Sequence, residues 1–224
     1  MKRRSVCIIL LAAVIFVGIE TVSSAYFLNT SETAGKNDWV LQLGYASKDF
    51  GSQINSTKGS PEIKLAYGLN RIWNVMAYLL PGIIGEPKGS NFYSVGGLLE
   101  FSILKTVPHR KNGNPPVDLS VIGGLEHTGF SNGTSELNCG VGFILGKNYP
   151  VGITILTPFL GTKIAYFFPS QNAQSGNDFE LSTGLRLGIS PSLALHLEGG
   201  FHWLSRGGNN TNSSGLSAGI AWNF

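Results

Sequence analysis

Residues 213–224 read SSGLSAGIAWNF. Counted back from the end, alternate positions are apolar: Phe224, Trp222, Ile220, Ala218 and Leu216. Between them stand Asn223, Ala221, Gly219, Ser217 and Gly215, all small or polar. A period of two is the mark of a β-strand whose faces meet different surroundings. A chain end frays unless something holds it. A strand that runs to the last residue therefore needs a partner for its edge and a medium for its apolar face.

The same alternation recurs from residue 38 onward. WVLQLGYA (39–46), EIKLAYGL (62–69), WNVMAYL (73–79), YSVGGLLEFSI (93–103) and VDLSVIGGLE (117–126) each carry an apolar row opposite small or polar residues. LNCGVGFIL (137–145), LGTKIAY (160–166), FELSTGLRLGI (179–189) and LALHLEGGFHW (193–203) continue it. With the closing strand these make ten, with eight or twelve as the neighbouring counts. Helical periodicity is absent from this reading.

The N-terminus places the chain outside the cytoplasm. Lys2, Arg3 and Arg4 precede an apolar run from Val6 to Ile19, and VSSA ends at Ala25. That is the layout of a secretory signal peptide, 1–25, with an apolar run shorter than the roughly 20 residues of a spanning helix. Residues 26–37 show no period and read as a flexible leader; 38–224 form one domain. Without the signal, 13 Lys and Arg remain against 12 Asp and Glu. The apparent basicity belongs to the signal, and no basic patch argues for nucleic acid. Only Cys139 would remain, so an internal disulfide is excluded.

Only 13% of residues are charged, against roughly 25% in typical globular chains. Glycine is abundant, at 30 residues. The longest apolar region after the signal, IWNVMAYLLPGIIG, is interrupted by Asn74, Pro81 and Gly82. An exported, apolar, glycine-rich chain without a helical span points to strands that face lipid.

The connections fit a closed, antiparallel, up-and-down transmembrane β-barrel, an all-β fold. FGSQINSTKGSP, PGIIGEPKGSN, GFSNGTS, PSQNAQSGN and LSRGGNNTNSS read as long external loops, while Asn70-Arg71 and Ser190-Pro191 read as tight turns. KTVPHRKNGNPP (105–116) is long yet falls on the periplasmic side. The aromatics sort by this topology. Trp39, Trp73, Trp222 and Phe224 fall at the periplasmic strand ends, and Tyr93, Tyr166, Phe179 and Trp203 at the outer ends, as two interfacial girdles.

On these residues the chain resembles the bacterial outer-membrane β-barrel superfamily, of the small OmpA-like or opacity-type kind. The resemblance covers residues 38–224. It implies a location in the outer membrane, contact with its lipid and lipopolysaccharide, and a monomer. It also implies that GLSAGIAWNF, ending at Phe224, is the strand recognised by the barrel-assembly machinery.

The inward face then carries Glu62, Lys64, Glu100, Asp118, Glu126, Lys163, Glu180, Arg186, His196, Glu198 and His202. Small barrels are filled by side chains, so the set reads as a salt-bridged plug. The second reading is a narrow pore, cation-preferring because acids outnumber Lys and Arg. His196, Glu198 and His202 share a face, but no cysteine or tight histidine pair completes a metal site. Neither metal nor cofactor is expected.

A third reading rests on FHWLSRGGNN. Lipid A deacylases of the acyloxyacyl-hydrolase type carry a similar motif, which makes His202 a candidate base and Ser205 a candidate nucleophile. Ser205 stands three residues after His202 rather than two, Arg206 replaces Asn, and the closing strand lacks a carboxylate. The five Asn-X-Ser/Thr triplets mark polar loop tips, and GVGFILG is strand glycine with no following helix. The reading adopted is a non-enzymatic outer-membrane barrel with exposed polar loops. A soluble exported barrel holding an apolar ligand is the alternative outside the membrane.

Overall fold

The computed structural model describes residues 36–49, 57–82, 92–105, 117–131, 133–170 and 174–224. The expected signal peptide, most of the expected leader and residues 106–116 lie outside them.

The strands are β1 (Trp39–Asp49), β2 (Thr57–Gly68), β3 (Trp73–Leu80), β4 (Phe92–Leu104), β5 (Asp118–Phe130), β6 (Ser135–Gly146), β7 (Tyr149–Val151), β8 (Thr154–Pro169), β9 (Gly176–Ser190), β10 (Leu193–Arg206) and β11 (Asn209–Asn223). Neighbours in sequence pair antiparallel, β6 pairs with β8, and β1 pairs with β11. The result is a closed barrel of ten strands. β7 is an eleventh, three-residue strand folded back on the start of β8 outside the ring.

The terminal strand closes the wall. Its register runs from Val40 opposite Asn223 to Ala46 opposite Ser217. Trp39 and Phe224 then exchange both backbone hydrogen bonds, at 3.0 and 2.9 Å. The last residue is therefore paired, and closure removes the open edge that hydrocarbon does not tolerate.

The barrel is inside-out relative to a soluble domain. Its lumen buries Glu100, Glu126, Glu180 and Glu198, each at most 2% exposed. Its outer surface leaves large apolar side chains such as Val141, Phe143, Ile164 and Phe201 more than half exposed. This surface suits lipid, where a charge at mid-depth costs roughly 2–4 kcal/mol. All eight girdle aromatics face outward and are exposed. Trp73 stacks near Phe101 with centroids 4.7 Å apart, and Phe179 lies 5.4 Å from Trp203.

Two of the polar connections prove to be strand rather than loop. Thr57–Pro61 belongs to β2, and LSRGGNNTNSS is a continuous hairpin closed by Gly207 and Gly208 alone. Both glycines have positive φ, 56° and 84°, which fits the two-residue turn of a right-twisted hairpin. Four residues, 131–134, join β5 to β6, so that connection is also short. At the opposite end, Asn70 Oδ1 accepts from the amides of Ile72 and Trp73 at 2.9 and 3.0 Å, locking the expected tight turn.

Candidate functional site

The candidate site is the lumen, which has two unlike walls. β3, β4 and β5 project Met76, Tyr78, Leu80, Phe92, Leu98 and Ile122 inward, and these pack with Ala46, Ile144 and Phe159. Each occupies the inward phase of its strand, as the alternating burial of β3 shows. The Tyr78 ring lies over Gly96 on β4, where an added Cβ would stand 2.2 Å from the ring. Glycine there is a requirement of that close approach. The Tyr78 hydroxyl donates to Glu126 Oε2 at 2.8 Å. Glu126 also accepts from Asn138 at 3.0 Å and Thr128 at 3.1 Å. A buried carboxylate with three donors is well compensated.

Towards the end that carries the Asn70–Arg71 turn, Asn74 donates to Glu100 at 3.1 Å, and Ser102 meets Ser120 at 3.2 Å near buried Asp118. Lys105, just beyond β4, donates to the Arg71 carbonyl at 3.3 Å. Burial pulls its ammonium pKa below the usual lysine range, while Glu100 and Asp118 act against that shift. Across the barrel Lys64 pairs with Glu62 on the same strand at 3.1 Å.

The second wall, β8–β10, is charged. Lys163 on β8 faces Glu180 on β9 at 3.6 Å. His202 on β10 sits beside Asp178 on β9 at 3.0 Å, and His196 beside Glu198 at 3.3 Å. Arg186 is opposite His196 in the strand register. Near the outer mouth Arg206 on β10 crosses two strands to Glu136 on β6, at 2.9 Å, with its guanidinium 4.6 Å from the Phe167 ring. This latch spans the mouth instead of running along one wall.

All eleven charged and histidine residues singled out in the sequence lie on inward positions of their strands. They do not form one chain of salt bridges. Glu126 and Glu100 are held by neutral donors, and part of the lumen wall is apolar packing. Sequence reasoning missed Asp178, Glu136 and Arg206. Each continues the inward phase by two or four residues beyond Glu180, Asn138 and His202, and that was the available signal. It also missed the inward apolar residues of β3 and β4.

The geometry does not bring His202 and Ser205 together. His202 is buried in the lumen, whereas Ser205, an odd number of residues away, falls on the outward face of β10. The acid beside His202 comes from β9, not from the closing strand.

No protein-family model matches the sequence, and no curated protein matches it. Among solved structures the chain is similar to Ail, the attachment invasion locus protein of Yersinia pestis. The identity is 11%, the match covers 84% of this chain and 99% of that one, and the TM-score is 0.29. At that level the likeness carries no argument about residues or role. The small outer-membrane-type barrel is assigned from this chain's own strand pairing, apolar exterior and polar lumen.

Proposed function

We propose that the protein is a non-enzymatic integral barrel of the bacterial outer membrane, whose work is done at its outer rim and not through its lumen. One observation carries this reading: the lumen is occupied from both sides. The apolar cluster fills the β3–β5 wall, the ion pairs fill the β8–β10 wall, and the Arg206–Glu136 latch crosses the mouth. Ten strands enclose little more than the space such side chains fill. The outward girdles favour lipid and lipopolysaccharide as surroundings, and the paired C-terminal strand suits delivery by the barrel-assembly machinery. A wall with no open edge supports a monomer, since no strand edge needs a second chain.

The orientation and location are tested by cysteine labelling in a Cys139→Ser background. A membrane-impermeant maleimide should label Gly208→Cys on intact cells, and Asn70→Cys only after the outer membrane is permeabilised. Labelling in the reverse order, or recovery of the protein in the soluble fraction, would contradict the proposal. The pore reading keeps one supporting observation, the excess of acids over bases lining the lumen.

A further inference from the structure

Asp178, Glu180 and His202 come together from β9 and β10, with one potential ligand atom from each lying within 4.8 Å of the others. All three are buried, and Glu180 is 0% exposed. Their hydrogen-bonding is incomplete in a particular way. His202 Nδ1 contacts Asp178 Oδ2 at 3.0 Å. An ionised carboxylate can only accept, so Nδ1 carries a proton, and in the neutral ring Nε2 is the atom that presents a lone pair. Nε2, both oxygens of Glu180 and the second oxygen of Asp178 have no hydrogen-bond partner. Four acceptors without a donor, buried in one place, are expensive to leave uncompensated.

The charge balance points the same way. Asp178 and Glu198 are carboxylates that both act on Glu180, and Lys163 is the ammonium 3.6 Å from Glu180. With His202 neutral, Lys163 offsets only one of the carboxylates at the cluster and a negative surplus remains. The Asp178–His202 contact is also the carboxylate–histidine arrangement that fixes the tautomer of a metal-bound imidazole.

We infer that Glu180 and His202 Nε2 form a binding site for a divalent first-row transition metal, of the Zn²⁺ type, inside the outer half of the barrel, with Asp178 orienting the imidazole from its Nδ1 side. One imidazole nitrogen with carboxylate oxygens is a donor set for such metals, not for Ca²⁺. The ion would enter from the outer mouth, past Arg206 and Glu136. It would compensate the group of unpartnered acceptors on β9 and β10, so the site would act as a metal staple of the charged wall.

The test uses the folded chain in detergent micelles, stripped with chelator and titrated calorimetrically with Zn²⁺. The expected result is saturable binding of one ion per chain, with a rise in unfolding temperature. His202→Ala and Glu180→Gln should each weaken binding at least tenfold. Lys163→Met, which removes the competing ammonium, should tighten it severalfold. His127→Ala, whose side chain is on the outer face beside Tyr93, should leave it unchanged. If His202→Ala fails to fold, by gel mobility with and without heating, X-ray absorption of Zn²⁺-loaded wild type decides instead. A first shell with one imidazole and carboxylate oxygens supports the site, and a shell without imidazole overturns it. The inference also falls if Zn²⁺ does not saturate, if Glu180→Gln binds as wild type does, if His127→Ala abolishes binding, or if Ca²⁺ binds as tightly.

Discussion

The two walls of the lumen solve the same problem differently. On β3–β5, apolar side chains interdigitate, the deep carboxylate of Glu126 has three donors, and Glu100 accepts from Asn74. On β8–β10, the carboxylates outnumber their donors, and Glu180 has an ammonium at 3.6 Å but no hydrogen bond. The first wall is stabilised chiefly by packing, with Glu126 held by hydrogen bonds at its centre. The second holds groups whose charges are incompletely compensated, which is the usual condition of a site that binds something. The difference teaches where stability resides and where a ligand belongs.

Substitutions can break that contrast. Tyr78→Ala removes a buried ring and one donor to Glu126, and should cost about 4 kcal/mol in urea unfolding from micelles. Arg206→Met leaves Glu136 buried and unpaired, and should cost about 3 kcal/mol, with the penalty confined to the outer end. Glu126→Leu strands the Tyr78 hydroxyl and the Asn138 amide, and should cost about 2 kcal/mol. Glu180→Met, in chelator-treated protein, should cost less than about 1 kcal/mol or stabilise, because no hydrogen bond is lost and relief from Asp178 and Glu198 offsets the lost Lys163 pair. If Glu180→Met costs as much as Glu126→Leu, the two walls are not different in kind. The smallest effect concerns chemistry: Ser205→Ala should leave fatty-acid release from lipopolysaccharide unchanged from a zero background, measured by mass spectrometry.

Much of this was legible in the sequence because a barrel in lipid enforces strict alternation. Phe224 back to Leu216 fixed the phase of β11, and the same rule oriented Glu62, Glu100 and Glu198 inward without any structure. Alternation fails where the constraint stops. Asn209–Ser214 pairs fully with β10, yet its polar residues carry no apolar row, so it reads as a loop. Strands that extend beyond the apolar band need no greasy face, and Asp178, Glu136 and Arg206 lie at that level. β7 is too short for any period, and Pro150 within it argues against a strand. Phase also says which face a residue takes but not its partner across the lumen. The Arg206–Glu136 latch and the Asp178–Glu180–His202 group depend on register between strands, which no single strand encodes.

The central claim is that the lumen is filled and does not conduct. Single-channel recording of the folded protein in a planar bilayer tests it most directly, once a heat-dependent gel shift shows the barrel is folded. The account predicts a silent bilayer. Discrete current steps that shrink in Glu100→Gln or Glu126→Gln would contradict it and make the lumen a cation path.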